Sequence, residues 1–187
     1  MAIQIVGFAG NPHRPSKTRA LVEVAAMRTA ERYGGKVKIF DLLDLQPHLG
    51  AAAALADLPP PAREVVDAIV AADVLIVGSP VYKGSYSGLF KHLFDLIEPA
   101  DLAGKPVLLT ATGGGEKHAL VIEHQLRPLF AFFEAAVLPT GLYAGPSDFI
   151  DGMPQSLPLL ARLDRGIAQL GPALSPAPGR PQDDRAA

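Results

Sequence analysis

The stretch GSPVYKGSYSGLFKHLFD, residues 78–95, decides the fold class. It follows an apolar run, residues 74–77, that is short enough to be a buried strand rather than a helix. The chain then passes through a loop of Gly, Pro, Ser and Tyr, and we predict a helix over residues 86–97. A strand that ends in such a loop and leads into a helix is typical of open α/β sheets, which bind ligands at the carboxyl ends of their strands.

The same alternation extends in both directions from this stretch. We predict strands over residues 3–9, 37–40, 74–77, 106–111 and 136–139, the last extending towards Tyr143. We predict helices over residues 17–33, 62–72, 86–97, 118–133 and 156–170. This pattern predicts a doubly wound, five-stranded parallel sheet with helices on both faces and the flavodoxin-like strand order 2-1-3-4-5. We expect one domain over residues 1–170 and a disordered tail over residues 171–187, which are rich in Pro, Gly and Asp.

Composition excludes several classes of protein. The chain has 187 residues and no cysteine, which rules out disulfides, thiolate catalysis and Cys-ligated metals. A formal net charge of -2 gives no support for nucleic-acid binding. No apolar run approaches the roughly 20 residues that a membrane span needs, and the N-terminus carries no targeting pattern. We therefore expect a cytoplasmic protein that contacts neither membrane nor nucleic acid.

The loop after the first strand, residues 10–19, has the composition of a phosphate site. It leads into a helix whose first N–H groups and dipole favour an anion. Possible hydrogen-bond donors are Asn11, Ser16 and Thr18, and positive charge is available from His13, Arg14, Lys17 and Arg19. The loop matches neither the Walker pattern nor the G-x-G-x-x-G pattern. The alternative is an ordinary connection in which Ser16 caps the helix.

Two further loops follow the third and fourth predicted strands. In the former, Pro80 and Val81 offer rigid apolar surface, Tyr82 offers an aromatic face, and the backbone after Lys83 could approach a planar ligand. A turn with buried aromatic side chains is the alternative. In the latter, TGGG at residues 112–115 presents backbone without side chains. Three consecutive glycines cost stability unless a close approach requires them, so we favour a ligand there as well.

Together the three loops resemble the NAD(P)H-dependent FMN reductases, and more narrowly the reductase components of two-component alkanesulfonate monooxygenase systems. The resemblance extends over residues 3–143. It is carried by Gly10-x-Pro12 with Ser16, by SPVYK…SG…K…D over residues 79–95, and by ATGG with His118. The first loop departs from the family pattern, because Asn11 replaces a Ser and the arginine is displaced to Arg14.

The resemblance implies the role of each loop. The phosphate of FMN would be held by Asn11, His13, Ser16 and Thr18, with His13 or Arg14 replacing the displaced arginine and Lys17 adding charge. The flavin ring would be held by Pro80, Val81, Tyr82 and Lys83, and its pyrimidine side would be lined by Thr112, Gly113, Gly114 and Gly115. NADPH or NADH would supply hydride to FMN, and FMNH2 would pass to a partner monooxygenase. The chemistry requires no metal and no catalytic side chain.

The helix predicted over residues 118–133 carries a second family feature. In the sulfonate-linked reductases this helix contains an extra residue that forms a π-bulge at a subunit interface, and His124 matches that position. The alternative is a solvent-facing histidine on a helix that is kinked at Pro128. The resemblance also implies a homodimer or a homotetramer.

Two other functions are compatible with the same fold. One is an NAD(P)H-dependent reductase of quinones, azo dyes or metal oxyanions that keeps FMN as a prosthetic group. The other is a flavodoxin-like electron carrier without enzymatic activity, against which the nearly neutral net charge argues.

Overall fold

A computed structural model describes residues 2–174 and shows a six-stranded parallel sheet at the centre of the fold. The strands of this sheet are β1 (Gln4–Ala9), β2 (Lys36–Asp41), β3 (Val74–Pro80), β4 (Pro106–Thr112), β5 (Ala136–Val137) and β6 (Leu142–Ala144). They run in the order β2-β1-β3-β4-β5, and β6 pairs with β4 beyond the end of β5. A separate antiparallel hairpin is formed by β7 (Phe149–Ile150) and β8 (Met153–Pro154).

Helices cover both faces of the sheet, as predicted. The α-helices are α1 (Lys17–Tyr33), α2 (Pro60–Val70), α3 (Gly88–Asp95), α4 (Pro99–Leu102), α5 (Arg127–Phe132), α6 (Leu157–Ala168) and α7 (Gly171–Leu174). The bounds of α1 agree with the predicted residues 17–33. This helix is capped by Ser16, whose Oγ accepts the N–H of Arg19 at 3.3 Å, and it ends at Gly34, where φ is +75°.

Two apolar cores, one on each face, hold the sheet between its helices. One core contains a cluster of aromatic rings, in which the centroids of Phe94 and Phe130 lie 4.8 Å apart. The other packs α1 and α6 against the sheet through residues such as Leu21 and Leu163. Because the central strands are covered on both sides, they are almost wholly apolar. Because the strands run parallel, their carboxyl ends and the loops that follow them meet at one edge of the sheet.

The prediction of five strands needs correction, because the last predicted strand forms two separate strands, β5 and β6. The N–H of Leu138 still donates to the carbonyl of Val107 at 2.9 Å, and the chain then leaves the ladder at residues 139–141. Pro139 has no N–H to donate to a neighbouring strand. The guanidinium of Arg127 instead donates to the carbonyls of Leu138 and Pro139 at 3.0 and 3.2 Å. The interruption is therefore stabilised by a side chain from a neighbouring helix.

The helix predicted over residues 118–133 begins at Val121 and contains a π-bulge that includes His124, which confirms the bulge that the resemblance implied. A π-helical segment, Ile122–Leu126, precedes α5, and the N–H of Arg127 donates to the carbonyl of Ile122 five residues earlier. Pro128 has no N–H for the carbonyl of His124, which removes an α-helical bond at this point. We call Ile122–Leu126 the π segment below.

Residues 171–174 differ from the prediction of a disordered C-terminal tail. The predicted disordered tail began at residue 171, yet Gly171–Leu174 forms α7, whose Ala173 and Leu174 N–H groups both donate to the carbonyl of Leu170. The remainder of that tail lies outside the described residues. Within residues 2–174, no helix combines the length and apolar character required to cross a bilayer.

Candidate functional site

A cavity of about 300 Å³ lies at the carboxyl edge of the sheet, where the predicted loops meet. Seven predicted site residues line it: Lys17, Pro80, Val81, Tyr82, Thr112, Gly113 and Gly114. The rest of its wall, which the sequence did not indicate, is formed by Ala144, Gly145, Pro146 and Phe149. The other predicted residues, Asn11, His13, Arg14, Ser16, Thr18, Lys83 and Gly115, lie outside this lining.

The loop after β3 forms a tight turn that presents Tyr82 to the cavity. The N–H of Tyr82 donates to the carbonyl of Ser85 at 2.9 Å, and the reverse bond measures 3.1 Å. Between them, Lys83 and Gly84 have φ values of +52° and +85°, as in a type I′ turn. Their N–H groups have no acceptor among residues 2–174. Tyr82 is 43% exposed, so its ring remains open to a ligand.

This loop is fixed to the neighbouring loops by buried hydrogen bonds. Ser79 Oγ accepts the N–H of Ser87 at 3.0 Å, and Ser87 Oγ donates to the carbonyl of Gly10 at 2.7 Å. The N–H of Val81 donates to the carbonyl of Thr112 at 2.8 Å. The first, second and third loops therefore form one connected platform, and the cavity wall is held in place before any ligand binds.

The three glycines of the third loop have different surroundings. A Cβ at Gly113 would lie 2.4 Å from the hydroxyl oxygen of Tyr143, so packing alone requires glycine there. A Cβ at Gly114 or Gly115 would meet nothing within 4 Å. The Tyr143 hydroxyl donates to the carbonyl of Gly115 at 2.5 Å, and burial raises the pKa of this tyrosine. Tyr143 thus positions the loop, a role that its place in a predicted strand did not suggest.

Three predicted phosphate ligands of the first loop already have partners within the protein. The side-chain amide of buried Asn11 donates to the carbonyl of His13 at 2.9 Å. The hydroxyls of Thr18 and Thr112 lie 2.6 Å apart in a buried hydrogen bond, and Ser16 caps α1. These contacts determine the shape of the loop and connect it to the platform.

Arg14 takes part in an ion-pair network rather than lining the cavity. Its guanidinium lies 2.7 Å from a carboxylate oxygen of Asp41 and 2.8 Å from one of Asp44, and Arg19 lies 2.9 Å from Asp41. Asp41 is fully buried. Burial by itself would raise the pKa of Asp41, but the bonds from Arg14 and from the N–H of Leu43 lower it below the usual value. Asp41 follows the strand predicted over residues 37–40, and the sequence indicated no role for it.

A second cavity, of about 550 Å³, lies between α3 and the helix that contains the π segment. Its lining includes His124 and Gln125 of the π segment and aromatic side chains such as Phe132, which is 73% exposed. Ser85 Oγ donates to the side-chain oxygen of Gln125 at 3.0 Å, which connects the π segment with the turn at Tyr82. The interface role of His124 stays a prediction.

The fold and the cavity define a class of protein: a flavodoxin-like α/β protein with a preformed ligand cavity at the carboxyl edge of its sheet. Comparison with known proteins identifies the family. The family model for NADPH-dependent FMN reductase matches residues 3–149. The chain belongs to this family, as the motifs in its three loops indicated.

Individual relatives agree with this assignment. An FMN reductase (NADPH) from Pseudomonas aeruginosa is 44% identical over 169 residues, which cover 90% of this chain and 91% of the relative. The NADH-dependent FMN reductase SfnF from Pseudomonas fluorescens is 44% identical over 170 residues, 91% of each chain. The apo structure of an NADH:FMN oxidoreductase, EMOB, has a TM-score of 0.80 at 31% identity and covers 93% of this chain and 91% of that one.

Proposed function

We propose that this protein is an NAD(P)H-dependent FMN reductase that takes FMN as a substrate and releases FMNH2 to a partner flavin-dependent monooxygenase. The observation that carries the proposal is the cavity between the three loops, in a chain that belongs to the FMN reductase family. Both NADPH- and NADH-dependent enzymes occur among its relatives by name, so either nucleotide is a candidate donor.

The residues around the cavity fit FMN. Pro80, Val81 and the open ring of Tyr82 give a largely apolar wall for a planar ring system. The space beside Gly114 is free of side chains, and the N–H groups of Lys83 and Gly84 have no acceptor within the described chain. The volume of about 300 Å³ lies at the lower end of the range for ligand sites.

FMN, when bound, supplies the redox chemistry by accepting a hydride from the nicotinamide. The protein binds the ring, orients it and excludes water from it. The turn at Lys83 and Gly84 would offer N–H donors to the polar edge of the ring, where negative charge develops on reduction. The buried bonds around Ser79 and Ser87 keep this turn fixed to the sheet, so little reorganisation accompanies binding.

We further propose a homodimer or homotetramer assembled through the face that contains the π segment. Phe132 is largely exposed there, and the cavity of about 550 Å³ beside His124 has an apolar wall that a second copy could cover. Exposed aromatic surface of this kind is typical of protein interfaces. Sedimentation of the wild type and of a Phe132→Ser variant tests this: we expect dissociation of the variant, whereas a monomeric wild type contradicts the proposal.

The partner monooxygenase is inferred from the motifs shared with reductases of alkanesulfonate systems. Release of reduced flavin is the property that such a partner requires. In this proposal, the protein binds FMN weakly enough that the reduced flavin dissociates after each turnover. An enzyme that keeps FMN as a prosthetic group would need no such limit.

NAD(P)H oxidation in the presence of varied FMN, riboflavin or FAD tests the proposal, with the flavin content of the purified protein recorded in parallel. We expect a protein that loses its colour on dialysis and a rate that requires and saturates with added FMN. A yellow protein whose rate does not depend on added flavin would indicate the prosthetic-group alternative. An absence of oxidation with every acceptor would indicate an electron carrier.

A further inference from the structure

The hairpin of β7 and β8 carries apolar side chains on both of its faces. In its antiparallel register Phe149 pairs with Pro154, and Ile150 pairs with Met153. Paired residues share a face of the hairpin, and consecutive residues point to opposite faces. Phe149 lines the cavity of about 300 Å³ and Pro154 is buried, so this pair faces the protein. Ile150 and Met153 therefore face outwards, where they are 58% and 46% exposed.

The start of α6 extends this outward apolar surface. The carbonyl of Asp148 accepts the N–H of Gln155 at 2.9 Å and that of Ser156 at 3.3 Å, which holds the beginning of α6 against the base of the hairpin. Leu157, the first residue of α6, is 79% exposed. We call the three exposed apolar side chains of this surface the hairpin patch: Ile150, Met153 and Leu157.

The hairpin patch and the proposed oligomer contact lie on different faces of the sheet. Phe149 packs against the core that contains α1 and α6. Phe132 stacks edge-on against Phe133, which belongs to the core on the opposite face. A second copy that covers Phe132 therefore leaves the hairpin patch open to another partner.

The size of the hairpin patch fits a partner that binds transiently. Its three side chains expose on the order of 300 Å² of apolar surface, a size that is often functional on monomeric proteins. A stable interface buries roughly 800 Å² on each partner. A permanent contact with a second copy would require a much larger surface than this patch supplies.

The position of the hairpin patch indicates which transient partner it fits. Phe149 and Ile150 are consecutive, so one side of the hairpin lines the cavity and the other side carries the patch. We propose that the hairpin patch is the docking surface for the monooxygenase that receives FMNH2. This inference rests on the proposed function, because it requires that reduced flavin leaves the protein. A partner bound here lies one hairpin away from the cavity, and a short path limits the loss of FMNH2 to dissolved oxygen.

The charge at the tip of the hairpin agrees with such a partner. Asp151 is exposed there and has no cation within salt-bridge distance among residues 2–174. FMNH2 carries an anionic phosphate, and a protein site that takes it up supplies positive charge. An acidic side chain beside the patch is complementary to a partner with a cationic flavin entrance.

Fluorescence anisotropy of the labelled reductase, titrated with a purified FMNH2-dependent alkanesulfonate monooxygenase, tests the proposal. One variant combines Ile150→Ser with Met153→Ser. A second is Leu157→Asp, which places a negative charge at the start of α6, where the helix dipole favours it. The control is Met27→Ser, which removes a side chain that is 49% exposed on α1, outside the patch. We expect both patch variants to raise the Kd about tenfold. The control should stay within about twofold of the wild type.

The yield of monooxygenase product per NAD(P)H oxidised in air gives a second readout. This yield should fall several-fold in the patch variants, because more FMNH2 reaches the solvent before it is used. Their rate of NAD(P)H oxidation with free FMN should stay within about twofold of the wild type, because none of the three patch residues lines the cavity. When photochemically reduced FMN is supplied directly, the yield should not depend on the variant.

Three results would overturn the docking proposal. The first is a wild type that does not bind the monooxygenase, and the second is a Kd that is unchanged in both patch variants or raised equally in Met27→Ser. The third is dissociation of the oligomer in sedimentation of a patch variant, which would assign the patch to a contact between copies. Failure of the proposed function gives a different result, namely NAD(P)H oxidation that does not depend on added FMN. The two failures are therefore distinguishable.

Discussion

The hydroxyl of Ser85 donates to the side-chain oxygen of Gln125 at 3.0 Å, and this bond joins the turn that presents Tyr82 to the π segment. The N–H groups of Lys83 and Gly84 lie within that turn. A contact at the helix that contains the π segment can therefore affect how firmly the turn at Tyr82 is held. In the proposed oligomer, this bond would connect the subunit interface with the flavin site.

Removal of this bond should weaken flavin binding without unfolding the protein. One such hydrogen bond contributes about 1 kcal/mol, so Ser85→Ala and Gln125→Leu should each raise the Kd for FMN roughly fivefold. The double variant should lose no more than either single variant, because both remove the same interaction. Fluorescence titration measures the Kd. Losses that add in the double variant would show that the two residues act independently.

Gly113 and Gly114 should respond differently to alanine. Gly113→Ala places a Cβ 2.4 Å from the Tyr143 hydroxyl, and overpacking of this kind costs about 1–3 kcal/mol of unfolding free energy. Tyr143→Phe in the same chain should recover part of that loss. Gly114→Ala meets no neighbour, so the stability should be preserved while FMN affinity falls. Urea denaturation and flavin titration measure the two effects. Unchanged FMN binding in Gly114→Ala would place the ring elsewhere.

The buried carboxylate of Asp41 should stabilise the fold through the two arginines. Asp41→Asn should lower the unfolding free energy by about 2 kcal/mol. The loss is smaller than for a wholly buried pair because Arg14 and Arg19 both reach solvent. Asp44→Asn is the matched control, and its partly exposed pair should cost less than about 1 kcal/mol. Equal losses in the two variants in urea denaturation would contradict this account.

The same carboxylate predicts a pH dependence. The pKa of Asp41 is lower in the folded protein than its ordinary value, which is about 3.9 in an unfolded chain. Its contribution is therefore fully present above that value and is lost as the pH falls through the lowered pKa. The stability difference between wild type and Asp41→Asn should stay constant from neutral pH to about 5 and shrink below about 4. If the difference in unfolding free energy between wild type and Asp41→Asn grew on acidification, the pKa of Asp41 would be raised rather than lowered on folding.

The first helix and the central strands were predicted correctly because the signals for them are local in the sequence. Ser16 and Gly34 bracket α1 in the sequence as they do in the structure. The apolar strands are covered on both faces, and the loops that follow them meet at one edge, as parallel order requires. The motif around Tyr82 therefore led to the cavity without knowledge of any distance.

Features that depend on distant side chains were not predictable in the same way. The break between β5 and β6 is stabilised by Arg127, which lies on another element. The buried carboxylate of Asp41 is stabilised by ion pairs with Arg14 and Arg19, which belong to the first loop and to α1. The residues next to Asp41 in the sequence give no sign of these ion pairs. The wall around Phe149 comes from a short hairpin whose strands have two residues each, too few for a periodic pattern.

The central claim is that FMN is an exchangeable substrate of this cavity. Anaerobic incubation of the protein with FMN in large molar excess over the protein, and with at least as much NADPH or NADH as FMN, followed by ultrafiltration, tests it most directly. The account predicts that nearly all the FMN is reduced and that FMNH2 passes through the filter, with little flavin retained by the protein. Reduction that stops at one flavin per chain, with that flavin retained above the filter, would contradict it.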